Sequence, residues 1–174
     1  MIRILSGKYK NRKLNFFNHS SIRPTQSRVK KSLFDSIHDF ENKNVLDLFC
    51  GVGTLGIEAC SRGANSVTFV DSNIKAINIL KKNLELLSIE NKNHIINSDV
   101  AKFLNNNKKT YDIILADPPY NKFYFFDFIP LISKILNLGG VFCYETSKKE
   151  SIVDLNLKVK TIGDTQLIFW RKYE

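Results

Sequence analysis

The stretch Val45-Leu46-Asp47-Leu48-Phe49-Cys50-Gly51-Val52-Gly53-Thr54-Leu55-Gly56 decides the fold. Residues 45–50 are apolar but for one acid, the pattern of a strand covered on both faces, and a glycine turn follows. Beyond the turn the pattern becomes helical to about Arg62. A second apolar run, Ser66–Asp71, ends on an acid 20 residues after Gly51. Strand, glycine turn, helix and a second strand make a βαβ unit, whose strands lie parallel in one sheet.

The alternation continues outward. The spacing predicts a helix over 73–87, a short strand His94–Asn97, a helical turn near 100–105, a strand Tyr111–Ala116 and a helix over 124–137. Gly139-Gly140 precedes a strand at 141–145, and a short helix near 147–153 leads to two last strands, 155–162 and 165–171. Only Gly163-Asp164 separates that pair, so it must be antiparallel. Toward the N-terminus, residues 2–17 read as a small β-hairpin and 18–26 as a polar loop. Over 26–40, Val29, Leu33, Ile37 and Phe40 recur at helical spacing, with Arg28, Lys30 and Lys31 mostly off the apolar face. The expectation is an α/β, Rossmann-like, doubly wound sheet, mostly parallel with a C-terminal antiparallel hairpin, preceded by a small N-terminal hairpin and helix. The 174 residues suit one domain, 1–174, with a basic part at 1–40 and a core at 41–174.

Charge divides the chain the same way. Of the net +9, residues 1–34 hold Arg3, Lys8, Lys10, Arg12, Lys13, Arg23, Arg28, Lys30 and Lys31, and the first acid is Asp35. Beyond residue 34 basic and acidic side chains cancel. An acid-free basic segment is the footprint of polyanion binding, and a lysine-rich composition alone does not produce it. No apolar run reaches membrane-spanning length and no signal core opens the chain, so a cytoplasmic protein without a membrane partner is expected. Cys50, Cys60 and Cys143 are scattered and read as reduced apolar residues, and His19, His38 and His94 are also dispersed, so no metal site is expected. A monomer is expected.

Gly51-x-Gly53-x-x-Gly56 with Asp71 has the spacing of a dinucleotide site. Asp47, four residues upstream, argues against that reading, because a carboxylate beside a pyrophosphate is repulsive. It suits a cationic ligand, such as the ammonium and sulfonium of S-adenosylmethionine, or else is an acid held by nearby amides. Asp71 would take the ribose hydroxyls. Asp99, ending the third strand, either meets the adenine amino group or caps the helix that follows.

The strand Tyr111–Ala116 runs into Asp117-Pro118-Pro119-Tyr120. Two prolines fix two φ angles and remove two N–H groups, so the corner is stiff and its carbonyls have no ladder to join. Asp117 and the Pro118 carbonyl can accept the two hydrogens of an exocyclic amine, and Tyr120 can stack on the base that carries it. The alternative is a strand end with an incidental acid.

Taken in order, Asp47-x-x-x-Gly51-x-Gly53, Asp71, Asp99 and Asp117-Pro118-Pro119-Tyr120 resemble the motifs of class I S-adenosylmethionine-dependent amino-methyltransferases, in which [DN]-P-P-[YF] marks methylation of exocyclic base nitrogens. Ser6-Gly7-Lys8-Tyr9-Lys10-Asn11-Arg12-Lys13-Leu14, then Arg23-Pro24-Thr25, Arg28-Val29 and Leu33-Phe34, is similar to the bacterial 16S rRNA guanine-N2 methyltransferase family. The resemblance implies S-adenosylmethionine as cofactor, held around Thr25, Asp47, Phe49, Gly51, Gly53, Asp71, Ser72, Asp99 and Val100. It implies catalysis at Asp117, Pro118, Pro119 and Tyr120, and 16S rRNA, within the small subunit or an assembly intermediate, as partner of Lys8, Lys10, Arg12, Lys13, Arg23, Arg28 and Lys31. Family members carry glycine at position 11, often an acid at 31, and Thr or Ser at 52. Asn11 tolerates left-handed backbone and can keep the turn, whereas Lys31 puts a local salt bridge in doubt and Val52 a hydroxyl contact to the cofactor. The alternatives left open are a DNA or other RNA adenine-N6 methyltransferase, an NAD-dependent oxidoreductase and a non-catalytic RNA-binding assembly factor. No insertion is large enough for the target-recognition region a duplex-DNA enzyme usually needs.

Overall fold

The computed structural model describes residues 2–16, 25–89, 92–119, 123–148 and 157–173, with only the backbone described at Thr25 and Gln26. Strands β3 (Asn44–Leu48), β4 (Ser66–Asp71), β5 (His94–Asn97) and β6 (Tyr111–Ala116) lie parallel, as their apolar runs predict. With β7 (Leu136–Ser147), β8 (Lys158–Ile162) and β9 (Thr165–Arg171) they form a seven-stranded sheet in the order β5-β4-β3-β6-β7-β9-β8. Only the pairings of β9, with β7 and β8, are antiparallel. The chain fills the sheet outward from β3 through β4 to β5, then returns to add β6 beside β3. That reversal leaves a crevice at the carboxyl ends of β3 and β6, the place where sheets of this kind bind ligands.

Helices α1 (Thr25–Ile37), α2 (Thr54–Ser61) and α3 (Ile74–Leu86) share one apolar cluster with one face of the sheet, through Val29, Leu33, Ile57, Ile77 and Leu80. The other face carries α4 (Val100–Asn106) and α5 (Phe125–Ile135), packed through Phe103, Phe125, Phe128 and Ile132. Sheet strands covered on both faces need the near-continuous apolar sequence they have.

Three boundaries differ from the sequence reading. β7 begins at Leu136, at the end of α5, rather than at 141, because Tyr111 pairs with Leu136 and Ile113 with Val141, so the intervening residues bulge out without ending the pairing. α1 ends at Ile37, and Phe40 reaches the core from the loop beyond it. Ser147 ends β7 and Lys148 is a turn, while the rest of the expected 147–153 helix lies outside the described residues.

The N-terminal hairpin pairs over only two positions, between β1 (Ile2–Arg3) and β2 (Lys13–Leu14). Asn11 sits at φ 67, so it does keep a left-handed turn. The hairpin is held on α2 by Ser61, bonded to Ser6, Lys8 and Tyr9, and by wholly buried Glu58, which accepts hydrogen bonds from the amides of Leu5 (2.7 Å) and Ser6 (3.0 Å). The same carboxylate pairs with Arg62 Nε at 3.0 Å and Lys30 Nζ at 3.4 Å. Lys30 is therefore not off the packed face: it is buried, donates to the Arg3 carbonyl at 2.9 Å, and has its pKa lowered mainly by burial, against the pull of Glu58. A charged amine goes inside here because a buried carboxylate is waiting for it.

Candidate active site

The crevice is built from the ends of parallel strands. Asp47 is the fourth residue of β3 and 1% exposed. After β3 the backbone turns sharply: Phe49 and Gly51 have φ of 58° and 54°, and Gly53, the residue before α2, has 88°. Only glycine adopts such angles without cost, which explains the spacing at 51 and 53. A side chain built on Gly51 would meet nothing within 4 Å, so the turn faces open space that a ligand can fill. Gly56 is glycine for another reason. A Cβ there would lie 2.3 Å from the Phe69 ring and 2.9 Å from Asp47 Oδ2, and its N–H donates to that oxygen at 2.8 Å. The third glycine of the fingerprint thus makes room for an acid that a dinucleotide site would not want.

Burial pushes the Asp47 carboxyl up to about 8; the Gly56 hydrogen bond opposes that shift, and the charges of Asp117 and Asp71 add to it. Asp47 on β3 therefore feels the carboxylates that end β4 and follow β6. Such a site is short of positive charge, and a cationic ligand would supply it. Asp71 holds the turn while it waits: Oδ2 accepts from the Gly51 N–H at 2.8 Å and Oδ1 from the Asn73 N–H at 2.7 Å. Each oxygen keeps a lone pair. Ser72 beside it is exposed. Asp99 is seen in its capping role, its Oδ1 accepting from the Lys102 N–H at 3.0 Å. Val100 is 2% exposed, so its side chain belongs to the core and only its backbone can face a ligand.

Asp117 follows β6 directly. It keeps accessible surface but is ringed by protein, and burial pushes its carboxyl up to about 6. Pro118 is buried and Pro119 exposed. Tyr120, like Arg23, lies outside the described residues, and of Thr25 only the backbone is described. Beyond the corner, Phe123 is fixed twice: its carbonyl accepts from the Tyr144 hydroxyl at 2.7 Å, and its ring lies 4.9 Å from that of Phe49. The segment beyond the proline corner is thereby tied to the glycine turn.

The basic candidates Lys8, Lys10, Arg12, Lys13, Arg28 and Lys31 are all exposed. Two have local partners. Arg12 Nη2 donates to the carbonyl of Leu86 at 3.3 Å, at the end of α3, and Lys31 pairs with Asp35 one helical turn on, so a local salt bridge does exist there. Lys8 lies over the Tyr9 ring, 5.3 Å from its centre.

Sequence reasoning overlooked Glu58, Asn83, Phe123 and Tyr144. Two of them carried a signal. Asn83 falls on the apolar stripe of α3 with Leu80 and Leu84, and Glu58 lies between Ile57 and Ala59 in an otherwise buried helix. A polar residue on a core face announces a buried partner, without naming it.

Comparison with known proteins matches this arrangement. Residues 2–171 fit the model of a family described as conserved hypothetical protein 95. The ribosomal RNA small subunit methyltransferase D of Buchnera aphidicola subsp. Baizongia pistaciae is 43% identical over 121 residues, which cover 68% of this chain and 61% of that relative. The protein of the same name from Haemophilus influenzae is 32% identical over 99% of this chain and 93% of its own length. The solved structure of an Escherichia coli protein superposes with a TM-score of 0.86 at 27% identity, covering 99% of each chain. A Thermus thermophilus 16S rRNA N2 G1207 methyltransferase, solved with AdoMet and guanosine, shares the fold with a TM-score of 0.69 at 21% identity, over 90% of this chain and 45% of that one.

Proposed function

The chain belongs to the family described as conserved hypothetical protein 95, and from that membership and its crevice we propose that it transfers a methyl group from S-adenosylmethionine to the exocyclic 2-amino group of a guanine in 16S rRNA. The observation that carries the chemistry is the placing of an accessible acid, Asp117, at the end of β6 beside β3, whose buried acid Asp47 feels its charge. The open space before Gly51, the Asp71 carboxylate at its edge and Asp47 beneath fit a ligand with an adenosine and a cationic tail. Asp71 and the backbone of the glycine turn would hold the nucleoside, with Asp99 and the Val100 amide toward the base and Asp47 toward the cation. When bound, S-adenosylmethionine supplies an electrophilic methyl on a sulfonium.

The protein's own work is to aim a poor nucleophile. The guanine 2-amino lone pair is delocalised into the ring. Asp117 and the Pro118 carbonyl, accepting one amino hydrogen each, would turn that lone pair out of the ring plane and stabilise the positive charge that grows on nitrogen. Ionised Asp117 accepts more strongly and offsets the charge growing on nitrogen, so activity rises with pH through about 6. Tyr120 would stack on the extruded base. The exposed basic side chains of the hairpin and α1 would hold phosphates without reading sequence.

A substrate in assembling small subunits would place the protein in the cytoplasm, acting as a monomer on RNA whose fold, rather than its sequence, presents the target. Among the described residues no helix is long and apolar enough to cross a membrane. The test is transfer of labelled methyl from S-adenosylmethionine to small-subunit RNA lacking the modification, with the product mapped by mass spectrometry. N2-methylguanine at one position is the expected product; methyl on adenine N6, or on duplex DNA, would overturn the guanine assignment, and no transfer at all would overturn the enzyme.

A further inference from the structure

Asn83 makes three hydrogen bonds to two distant segments. Its Oδ1 accepts from the Asn15 N–H at 2.7 Å, and its Nδ2 donates to the Asn15 carbonyl at 3.1 Å and to the Val52 carbonyl at 3.0 Å. It is wholly buried, on the tenth residue of α3. Asparagine is a poor helix former, and a buried amide is tolerated only when its groups are matched. Here both Nδ2 hydrogens and Oδ1 are used. One partner, Asn15, is where the basic hairpin leaves β2. The other, Val52, is the middle of the glycine turn Gly51-Val52-Gly53, which faces the open space of the crevice.

We propose that Asn83 is a positioning residue that locks the glycine turn to the basic hairpin, so that RNA held by the hairpin and cofactor held by the turn tighten each other's binding. This rests on the function proposed above. The hairpin pairs over only two positions, so the residue after it takes its placement from outside the ladder, and Asn83 supplies it. Around it the Gly51 N–H is held by Asp71 and the Gly53 N–H by the Cys50 carbonyl, and Asn83 holds the Val52 carbonyl between them. An RNA bound on the hairpin stiffens the Asn15 end that Asn83 grips, and Asn83 then presents a settled turn to the cofactor. By linkage the same factor operates in reverse.

The test measures a thermodynamic box with S-adenosylhomocysteine and unmethylated small-subunit RNA. In the intact protein each should tighten the other by about five-fold or more. Asn83→Asp keeps the acceptor for the Asn15 N–H and turns the donors into a carboxylate facing two carbonyls. It should weaken S-adenosylhomocysteine about ten-fold and bring the coupling factor to about one. Asn15→Pro removes the shorter of the two Asn15–Asn83 bonds, keeping the carbonyl bond and the Val52 bond; it should retain the affinity for S-adenosylhomocysteine while reducing the coupling by about two-fold or more. That variant decides the matter if Asn83→Asp fails to fold. Absence of coupling in the intact protein, or undiminished coupling in Asn15→Pro, would refute the inference while leaving the enzyme assignment standing. Failure of the intact protein to bind S-adenosylhomocysteine would instead remove the function, and the inference with it.

Discussion

Replacing Asp47 by asparagine should flatten the pH dependence of stability in the ligand-free protein. The carboxyl has its ordinary pKa of 3.8 in the unfolded chain and about 8 in the fold, chiefly through burial. A group raised in this way contributes stability that is fully present below 3.8 and is lost as pH rises through 8. Between pH 5 and 7 the unfolded chain has released this proton and the folded chain retains it. Each pH unit then costs about 1.4 kcal/mol, or about 3 kcal/mol across the window, a large share of the ~5–15 kcal/mol that holds a domain together. In Asp47→Asn the side-chain amide oxygen can still accept from the Gly56 N–H, so the variant removes the titration while sparing the local bond. Urea unfolding of both proteins at pH 5, 6, 7 and 8 measures it. Asp117 bends both curves in the same direction, and because its charge acts on Asp47 the difference reports position 47 together with that coupling. That difference should change by about 3 kcal/mol from pH 5 to 7, always against the native protein as pH rises. The sulfonium and ammonium of S-adenosylmethionine beside Asp47 should draw it back to the carboxylate, so S-adenosylmethionine should protect the native protein more than the variant at pH 7. Parallel pH curves for the two proteins would refute the reasoning.

Three further outcomes follow from the geometry. Asp117→Ala should lower turnover by about two to three orders of magnitude with cofactor affinity intact, as expected for a lost preorganised acceptor, whereas Asp117→Asn should retain part of the activity and lose the acid limb near pH 6 in the rate profile. Reversing the charges of Lys8, Lys10 and Arg12, all exposed, should weaken RNA binding and shallow its dependence on salt, with S-adenosylhomocysteine titrations unchanged; equal salt slopes would remove the hairpin from the interface. Glu58→Gln leaves Lys30 buried without its carboxylate, so it should cost about 3–5 kcal/mol and expose the Leu5 and Ser6 amides to hydrogen exchange, whereas slow exchange in the variant would place the anchor elsewhere.

Much of the site was legible because its logic is local. Paired prolines stiffen the chain after β6 whatever surrounds them, and the glycines at 51 and 53 are demanded by backbone angles of the turn itself. Asn11 was readable for the same reason. Lys30 was not. Its place on α1 puts it near the edge of the apolar stripe, and only the buried Glu58, 28 residues on, turns it inward. Asp99 was singled out by position at a strand end and Val100 by the family resemblance, but which of their atoms remain free depends on α4, whose first turn consumes one Asp99 oxygen and whose packing buries Val100.

From the sequence alone come the order of strands and helices, the parallel sheet with its antiparallel end, the acids at strand ends, and the basic N-terminal segment. Each depends on period, turn chemistry or charge counted along the chain, within a few residues of its effect. The tertiary structure alone decided that Asp47 would hold its proton near neutrality, that Glu58 would clasp the hairpin, and that Asn83 would join Asn15 to Val52 across 68 and 31 residues. Desolvation and buried hydrogen bonds arise only when distant faces meet and exclude water, and no property of the separate segments specifies which polar groups will be enclosed together.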